Sequence, residues 1–179
     1  KLKGKDLRKF RRHVGMIFQS YNLVPRVTVL KNVMFARVPD MSLFKVIFGL
    51  FSKEDKLVAL DSLNKVGILD KAYIRADQLS GGQQQRVSLA RALSQESEIL
   101  LADEPVSALD PVTAKEVMDD FKRINEEFNK TILLNIHHVE LALEYASRII
   151  AVKKGKIVYD GPSQEVTKEI LDEVYRKEA

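Results

Sequence analysis

The chain has 179 residues, 45% of them hydrophobic, so it is long enough for one globular domain with a sizeable core. It contains no cysteine, which excludes disulfides and thiolate chemistry and agrees with a reducing compartment. The net charge of +4 originates in the first 12 residues; because Phe10 is their only stacking aromatic, we interpret them as solvated surface and expect no nucleic-acid partner.

Strands and helices are predicted to alternate along the chain. A helix capped by Ser52 and ended by Gly67 is expected to bury one apolar face, and Asp110 followed by Pro111 is typical of a second helix start. This alternation favours an α/β fold with a parallel sheet. The predicted strands are residues 14–18, 99–102, 131–136, 148–152 and 156–159; a further helix covers 139–146, and the apolar face of the Ser52 helix comprises Leu57, Leu60, Leu63 and Val66.

The stretch DQLSGGQQQRVSLARAL, residues 77–93, places two glycines at the start of a helix. Ser80 and Gln83 form a capping-box pattern, so the helix is expected to begin at Gly81. Each glycine costs about 1 kcal/mol relative to alanine inside a helix. On these residues alone two explanations stay equally open: an ordinary capped helix with a flexible start, or bare first-turn amides that bind an anion such as phosphate.

Five short motifs occur in order along the chain: Gln19 in IFQS, LSGGQ at 79–83, an apolar strand ending in Asp103 and Glu104, SALD at 107–110, and His137 just after a strand. Together they resemble the Q-loop, signature, Walker B, D-loop and H-loop motifs of the ATP-binding cassette (ABC) ATPases. The resemblance covers essentially the whole chain. It implies a P-loop NTPase-like parallel sheet core, incomplete here, with an inserted α-helical subdomain at residues 27–77, the signature helix at 78–96, and the Walker B, D-loop and H-loop part of the core at 97–179.

The acidic pair after the third motif has a clear chemical use. Asp103, at the carboxyl end of a buried strand, can hold Mg²⁺ beside nucleotide phosphates, and Glu104 can polarise a water for in-line attack. Gln19 can contact a metal-bound or attacking water. Considered alone, an Asp-Glu pair after a strand is more often a turn or helix cap, and Gln19 would be a surface amide.

Histidine is assigned by the resemblance alone. The family spacing selects His137, whose imidazole would contact the γ-phosphate and its surroundings, whereas His138 and His13 are expected to have no catalytic role. A histidine beyond a strand end is otherwise more often a structural hydrogen-bonding group.

A phosphate-binding loop of the form G-x-x-x-x-G-K-[ST] is absent from the sequence, since Gly4-Lys5 is followed by Asp6 and Gly155-Lys156 by Ile157. In the family this loop precedes the Q-loop. The chain, which opens on lysine, is therefore expected to be the C-terminal part of one nucleotide-binding domain. We expect this piece alone neither to bind ATP tightly nor to hydrolyse it.

The resemblance also implies partners and roles. Two ATPase subunits would pack head to tail, so that the signature helix of one contacts the ATP held by the other, with Mg²⁺ as the second cofactor. The implied assignments are Ser80, Gly81, Gly82, Gln83 and Asp110 for nucleotide binding, Asp103 and Gln19 for the metal, and Glu104, His137 and Gln19 for hydrolysis.

The class of ABC ATPase is narrowed by the short distance between Gln19 and Leu79. Only 60 positions separate them, without sustained heptads, which argues against the long coiled coil of DNA-maintenance ATPases. We interpret the chain as a transporter subunit, peripheral on the cytoplasmic face of the cell membrane. A translation-type soluble ATPase and a non-catalytic module stay as alternatives.

Three segments, residues 15–33, 73–87 and 135–161, resemble the ATPases of phosphonate importers. In such systems the permease and the solute-binding protein select the cargo, and the solute-binding protein meets the ATPase only indirectly. Phosphonate is the favoured cargo, with another small anion, an amino acid or a peptide as alternatives.

The inserted segment is expected to contact the permease. Its most apolar part, residues 43–51, is too short to span a bilayer and contains Lys45. It is interpreted as a docking surface for a permease helix, and burial in the segment's own core is the equal alternative. The apolar side chains concerned are Leu43, Phe44, Val46, Ile47, Phe48 and Phe51.

Overall fold

The computed structural model describes residues 1–176. The chain divides into two units, the first covering Lys1–Asn135 and the second beginning at Ile136. The first unit contains a parallel sheet with surrounding helices, and the second contains an antiparallel strand pair with two helices.

The sheet of the first unit has three parallel strands in the order β1 (Val14–Ile17), β2 (Ile99–Asp103) and β3 (Thr131–Asn135). Ile17 lies opposite Ala102 and Asp103 lies opposite Asn135. The carboxyl ends of all three strands therefore meet at one edge, as the α/β pattern predicts, which confirms the predicted fold class.

Six α-helices belong to the described part of the first unit. The helix α5 is the most buried of them, and it contacts α2, α4, α6 and β1, so it forms the centre of this unit's core. Their bounds are α1 (Gly4–Arg12), α2 (Val29–Met34), α3 (Leu43–Ile47), α4 (Lys53–Lys65), α5 (Gly81–Ser94) and α6 (Pro111–Phe128), with 3-10 turns at Phe35–Asp40, Leu69–Lys71 and Ala76–Gln78.

The helix α4 follows its predicted caps and buries most of its predicted apolar face. Ser52 and Asp55 form a reciprocal capping box, and Gly67 ends the helical region with a φ of +66°. Leu63 and Val66 are buried and Leu60 is half-buried, as predicted, whereas Leu57 is 56% exposed. The face turned towards α2 and α5 contains Ala59, and Leu57 lies two residues away, about 200° around the helix.

The basic N-terminal segment forms the helix α1, which the sequence analysis did not predict. None of its residues is buried, in agreement with the interpretation of this segment as solvated surface.

The second unit holds the remaining strands. β4 (Arg148–Lys153) and β5 (Lys156–Pro162) pair with each other in antiparallel fashion, so these two predicted strands are not part of the parallel sheet. Lys154 and Gly155 both have positive φ, the conformation of a two-residue turn that can join only antiparallel neighbours. The helices of this unit are α7 (Val139–Tyr145) and α8 (Lys168–Tyr175).

Across residues 1–176, no helix combines the length and the apolar character that crossing a membrane requires.

The start of α5 packs closely against α6. A β-carbon on the buried Gly82 would lie 2.4 Å from Cγ2 of Thr113, far inside van der Waals contact. The Thr113 side chain is fixed in place, because its hydroxyl donates to Asp110 at 2.6 Å. Glycine at position 82 is thus required by the packing of two helices of the same chain.

We predict that Gly82→Ala lowers the free energy of unfolding by about 1 kcal/mol or more, because overpacking costs 1–3 kcal/mol and exceeds the gain in helix propensity. Guanidinium denaturation of the protein measures this. In a Thr113→Ser background, which removes Cγ2 and keeps the hydroxyl, the same substitution is expected to be neutral or stabilising. An equal cost in both backgrounds would show that this contact is not the cause.

Candidate functional site

Two polar side chains end adjacent strands of the parallel sheet. Asp103 is the last residue of β2 and Asn135 the last of β3, and the register places them opposite each other. The Asn135 amide nitrogen Nδ2 donates to Oδ1 of Asp103 at 2.8 Å. The Asp103 carboxylate is thereby oriented at the exposed carboxyl edge of the sheet, where open α/β sheets bind their ligands.

Glu104 leaves the strand through a left-handed backbone conformation. Its φ is +46°, which costs about 1–2 kcal/mol for a residue with a β-carbon. Its backbone N–H donates to the carbonyl oxygen of Asn135 at 3.0 Å, so the neighbouring strand supports this conformation. The kink directs the Glu104 carboxylate away from the line of β2 and towards Gln19.

Gln19 meets Glu104 across 85 residues of sequence. Its Nε2 donates to Oε2 of Glu104 at 3.0 Å and to Oγ of Ser107 at 3.1 Å. The Ser107 hydroxyl donates in turn to the carbonyl oxygen of Glu104 at 3.1 Å. The structure thus brings together three of the residues selected from the sequence: Gln19, Asp103 and Glu104.

The oxygen atoms at this edge suit a hard divalent cation. Since Nε2 of Gln19 donates to the carboxylate, the amide oxygen is the atom that would face a cation or a water. Mg²⁺ in nucleotide sites takes one or two carboxylates and completes its shell with phosphates and water. Within residues 1–176 there is no group of three acidic, histidine or cysteine side chains that could hold a metal by itself. Asp103 and Gln19 therefore fit Mg²⁺.

The signature segment forms the capped helix start that its sequence predicts. Oγ of Ser80 accepts from the Gln83 N–H at 3.4 Å, and Oε1 of Gln83 accepts from the Ser80 N–H at 3.1 Å. The Gln84 N–H donates to the Ser80 carbonyl oxygen, which is the first hydrogen bond along the helix. The first-turn amides of Gly81 and Gly82 are the donors that this cap leaves for an anion.

The two glycines of the signature also have neighbours in the same chain. A β-carbon on Gly81 would lie 3.2 Å from both the Tyr21 hydroxyl and Cδ2 of Leu109, and Gly82 contacts Thr113 as described above. Close packing within the chain is thus a reason for these glycines besides the two that the sequence left open. The assignment of Ser80, Gly81, Gly82 and Gln83 to nucleotide binding stays a prediction.

Asp110 has a structural function that explains its position. Its Oδ1 accepts from the N–H groups of Val112 and Thr113 at 3.1 and 3.0 Å, so it caps α6. The Thr113 hydroxyl, followed by the Thr113 backbone N–H, holds the pKa of the Asp110 carboxyl below its usual value. Both carboxylate oxygens are engaged in this cap, and a role of Asp110 in nucleotide binding remains a prediction.

His137 belongs to the second unit, in the exposed segment that precedes α7. His138 occupies the N-cap position of α7 without a side-chain cap hydrogen bond. His13 belongs to the first unit, where its Nδ1 lies 3.2 Å from Oε1 of Glu98. The catalytic assignment of His137 stays a prediction.

Sequence reasoning missed two residues of this site, Asn135 and the supporting hydroxyl of Ser107. A signal for Asn135 was present, because it is the one strongly polar side chain in the otherwise apolar run TILLNI, and it comes where a parallel strand ends. Ser107 begins the SALD motif, but nothing in the sequence indicated that its hydroxyl would accept from Gln19.

Comparison with known proteins identifies the protein family. Residues 1–107 match the family described as ABC transporter, so the chain belongs to the ABC transporter family of ATP-binding proteins. This confirms the family inferred from the five motifs, and membership implies ATP binding.

Particular relatives can then be given. The chain is 99% identical over 179 residues to the phosphonates import ATP-binding protein of Lactococcus lactis subsp. lactis (strain IL1403), covering all of this chain and 73% of that protein. It is 57% identical over 175 residues to the protein of the same name from Staphylococcus haemolyticus (strain JCSC1435), covering 98% of this chain and 68% of that protein.

A solved structure extends the likeness to three dimensions. A dimeric ATP-binding cassette in a post-hydrolysis state, bound to ADP and Pi, is 37% identical, with a TM-score of 0.72 over 91% of this chain and 68% of that one. The chain thus spans about two thirds to three quarters of the length of these relatives.

The depressed pKa of Asp110 generates a pH prediction. The pKa of the Asp110 carboxyl is lower in the folded protein than in the unfolded chain, where it is near 3.8. Such a carboxyl stabilises the folded protein at pH values above the unfolded-state pKa, and this stabilisation is lost as the pH falls through the folded-state pKa. Thr113→Val removes the hydroxyl, the largest cause, and should raise the pKa of Asp110 towards 3.8. A carbon-detected NMR titration of the Asp110 carboxyl measures it.

Asp110→Asn, which cannot titrate at this position, provides the control for the accompanying pH dependence of unfolding. If the Asp110 pKa is the same in the parent and in Thr113→Val, the hydroxyl does not depress it.

Proposed function

We propose that this chain is part of the ATP-binding subunit of a phosphonate importer and that its sheet edge hydrolyses ATP. The observation that carries the proposal is the Gln19–Glu104 hydrogen bond beside the oriented carboxylate of Asp103. The cargo is taken from the names of the relatives, both phosphonates import ATP-binding proteins.

In the proposed mechanism Glu104 acts as the general base. Its carboxylate accepts a proton from a water that attacks the γ-phosphorus in line, while the bond to the β,γ-bridging oxygen breaks and ADP leaves. Gln19, whose amide nitrogen already donates to Glu104, keeps this carboxylate in place and offers its amide oxygen to the same water. Asp103 and Gln19 would hold Mg²⁺, which supplies charge neutralisation at the β- and γ-phosphates. His137 would contact the γ-phosphate.

The signature helix is proposed to act on the nucleotide of a second subunit. Ser80 is exposed at the start of α5, and the amides of Gly81 and Gly82 remain as donors for a phosphate. A relative of the same family is a dimer bound to ADP and Pi, which supports a head-to-tail pair in which these amides bind the γ-phosphate of the partner's ATP. Hydrolysis would then release the dimer.

The helix α3 is proposed to contact the permease on the cytoplasmic face of the membrane. Phe44, Ile47 and Phe48 are 64%, 69% and 62% exposed, and the rings of Phe44 and Phe48 contact each other at a centroid distance of 4.6 Å. Leu50, beside them, is also exposed. An apolar cluster of this kind on the surface supports docking to a partner helix over burial in the subunit's own core. The solute-binding protein would meet the permease and not this chain.

We predict that Glu104→Gln lowers kcat for ATP in the assembled transporter by about 10²-fold or more, because the amide cannot accept the proton. It retains an oxygen that can accept from Gln19, so the site geometry should persist. Steady-state phosphate release measures the rate, and size-exclusion chromatography of the intact ATPase subunit without the permease should show that a dimer accumulates with ATP. Hydrolysis at the parent rate would exclude Glu104 as the base.

We also predict that Phe48→Glu lowers ATP-driven phosphonate uptake by about tenfold or more, because a charge in an apolar contact must be desolvated without a partner. Basal ATPase activity should stay within about twofold of the parent value. Uptake into proteoliposomes and ATPase assays measure the two quantities. Leu57→Glu, which alters another exposed apolar residue, is the control and should leave uptake unchanged. Normal uptake by Phe48→Glu would argue against this contact.

A further inference from the structure

Arg91, near the end of α5, connects this helix to the segment that follows Gln19. Its Nη1 donates to the carbonyl oxygen of Asn22 at 2.5 Å and its Nη2 to that of Tyr21 at 2.9 Å. Burial of the guanidinium lowers the pKa of Arg91 from its usual value. Hydrogen bonds from a partly desolvated cation are among the stronger ones in proteins, so this contact is well suited to fix a backbone.

The two residues that Arg91 holds have an unusual backbone conformation. Tyr21 and Asn22 have φ values of +59° and +50°, in the left-handed region that tyrosine in particular disfavours. Such residues keep this conformation only where the surroundings impose it. Arg91 on α5 supplies two of the contacts that do so, and the Tyr21 hydroxyl lies against Gly81 at the other end of the helix.

Tyr21 lies two residues beyond Gln19 and Asn22 three, and a tight turn ends at Tyr21. The Tyr21 N–H donates to the carbonyl oxygen of Phe18 at 3.1 Å, which encloses Gln19 within the turn. A shift of the Tyr21 backbone must therefore move Gln19. Its hydrogen bonds of 3.0 and 3.1 Å to Glu104 and Ser107 would lengthen beyond the useful range with a displacement of about 1 Å.

We propose that Arg91 is a positioning residue for the hydrolysis site: by holding the carbonyl oxygens of Tyr21 and Asn22, it keeps the Gln19 amide at Glu104. Arg91 touches neither Glu104 nor Gln19 among the described contacts and acts through the backbone of the turn. Its effect on catalysis rests on the proposed function, whereas its effect on the turn does not.

The test compares Arg91→Met and Arg91→Lys with Gln95→Leu in the assembled transporter. Gln95 is a matched control, because its Nε2 also donates from the end of α5 to backbone carbonyl oxygens. These belong to Arg11, Arg12 and Val14, at the opposite end of β1. Two quantities are measured: hydrogen exchange of the Tyr21 and Asn22 amides without nucleotide, and kcat and KM for ATP.

In Arg91→Met, exchange at Tyr21 and Asn22 is expected to be about tenfold faster, because the turn opens locally. The value of kcat should fall by about tenfold with KM within about threefold, the pattern of an interaction needed in the transition state. Arg91→Lys keeps the charge but loses the planar fork, so about threefold effects on both quantities are expected. Gln95→Leu should change neither by more than about twofold.

The outcomes distinguish the effect of Arg91 on the turn from its effect on ATP hydrolysis. Unchanged exchange in Arg91→Met, or faster exchange with an unchanged kcat, would overturn it. An equal fall in kcat for Gln95→Leu would also overturn it, because the effect would then be one of general stability. If the parent transporter hydrolyses no ATP while exchange responds as expected, the proposed function is wrong, but the role of Arg91 in holding the Tyr21–Asn22 backbone is supported. Should Arg91→Met not assemble, Arg91→Lys decides, and parent-like values for both quantities would refute the proposal.

Discussion

The parallel register of β1, β2 and β3 is the constraint on which the candidate site depends. It places Asp103 opposite Asn135 and ends β1 two residues before Gln19, so residues separated by more than 80 positions meet at one edge. The sheet provides a rigid frame, and the segments that leave its carboxyl ends provide the chemistry. Conserving the register matters more for this site than any one hydrogen bond, since a slip of one residue would turn Asp103 to the other face.

The helix α5 is the second organising element, and it contacts both sides of the site. Its start packs through Gly82 on Thr113 of α6, and its later turns hold the backbone of Tyr21 and Asn22 through Arg91. The signature helix is therefore joined to the start of α6 and to the segment that follows Gln19. At one end of α5, glycine allows a close approach to α6. At the other end, the long side chain of Arg91 reaches the backbone of a neighbouring segment.

The sequence predicted the elements with strong local patterns and the family motifs. The Ser52 cap, the Ser80 capping box, the Asp110 cap and the three parallel strands are confirmed, because capping and apolar runs are determined by neighbouring residues. The exposure of Leu57 in α4 was not predicted, since the position of this helix is set by its packing on α2 and α5. Nor could the pairing of Asp103 with Asn135, or of Arg91 with the Tyr21 turn, be read from the sequence, because these contacts depend on strand order and helix placement in three dimensions.

The left-handed conformation of Glu104 has a consequence for protein engineering. At this position folding and chemistry favour different residues: glycine or asparagine would adopt the backbone with less strain, but neither supplies a carboxylate. Given the proposed role of Glu104 as general base, a library selected only for heat tolerance should enrich such replacements and lose ATP hydrolysis at the same time. Any stabilised variant of this cassette has to be screened with position 104 held constant.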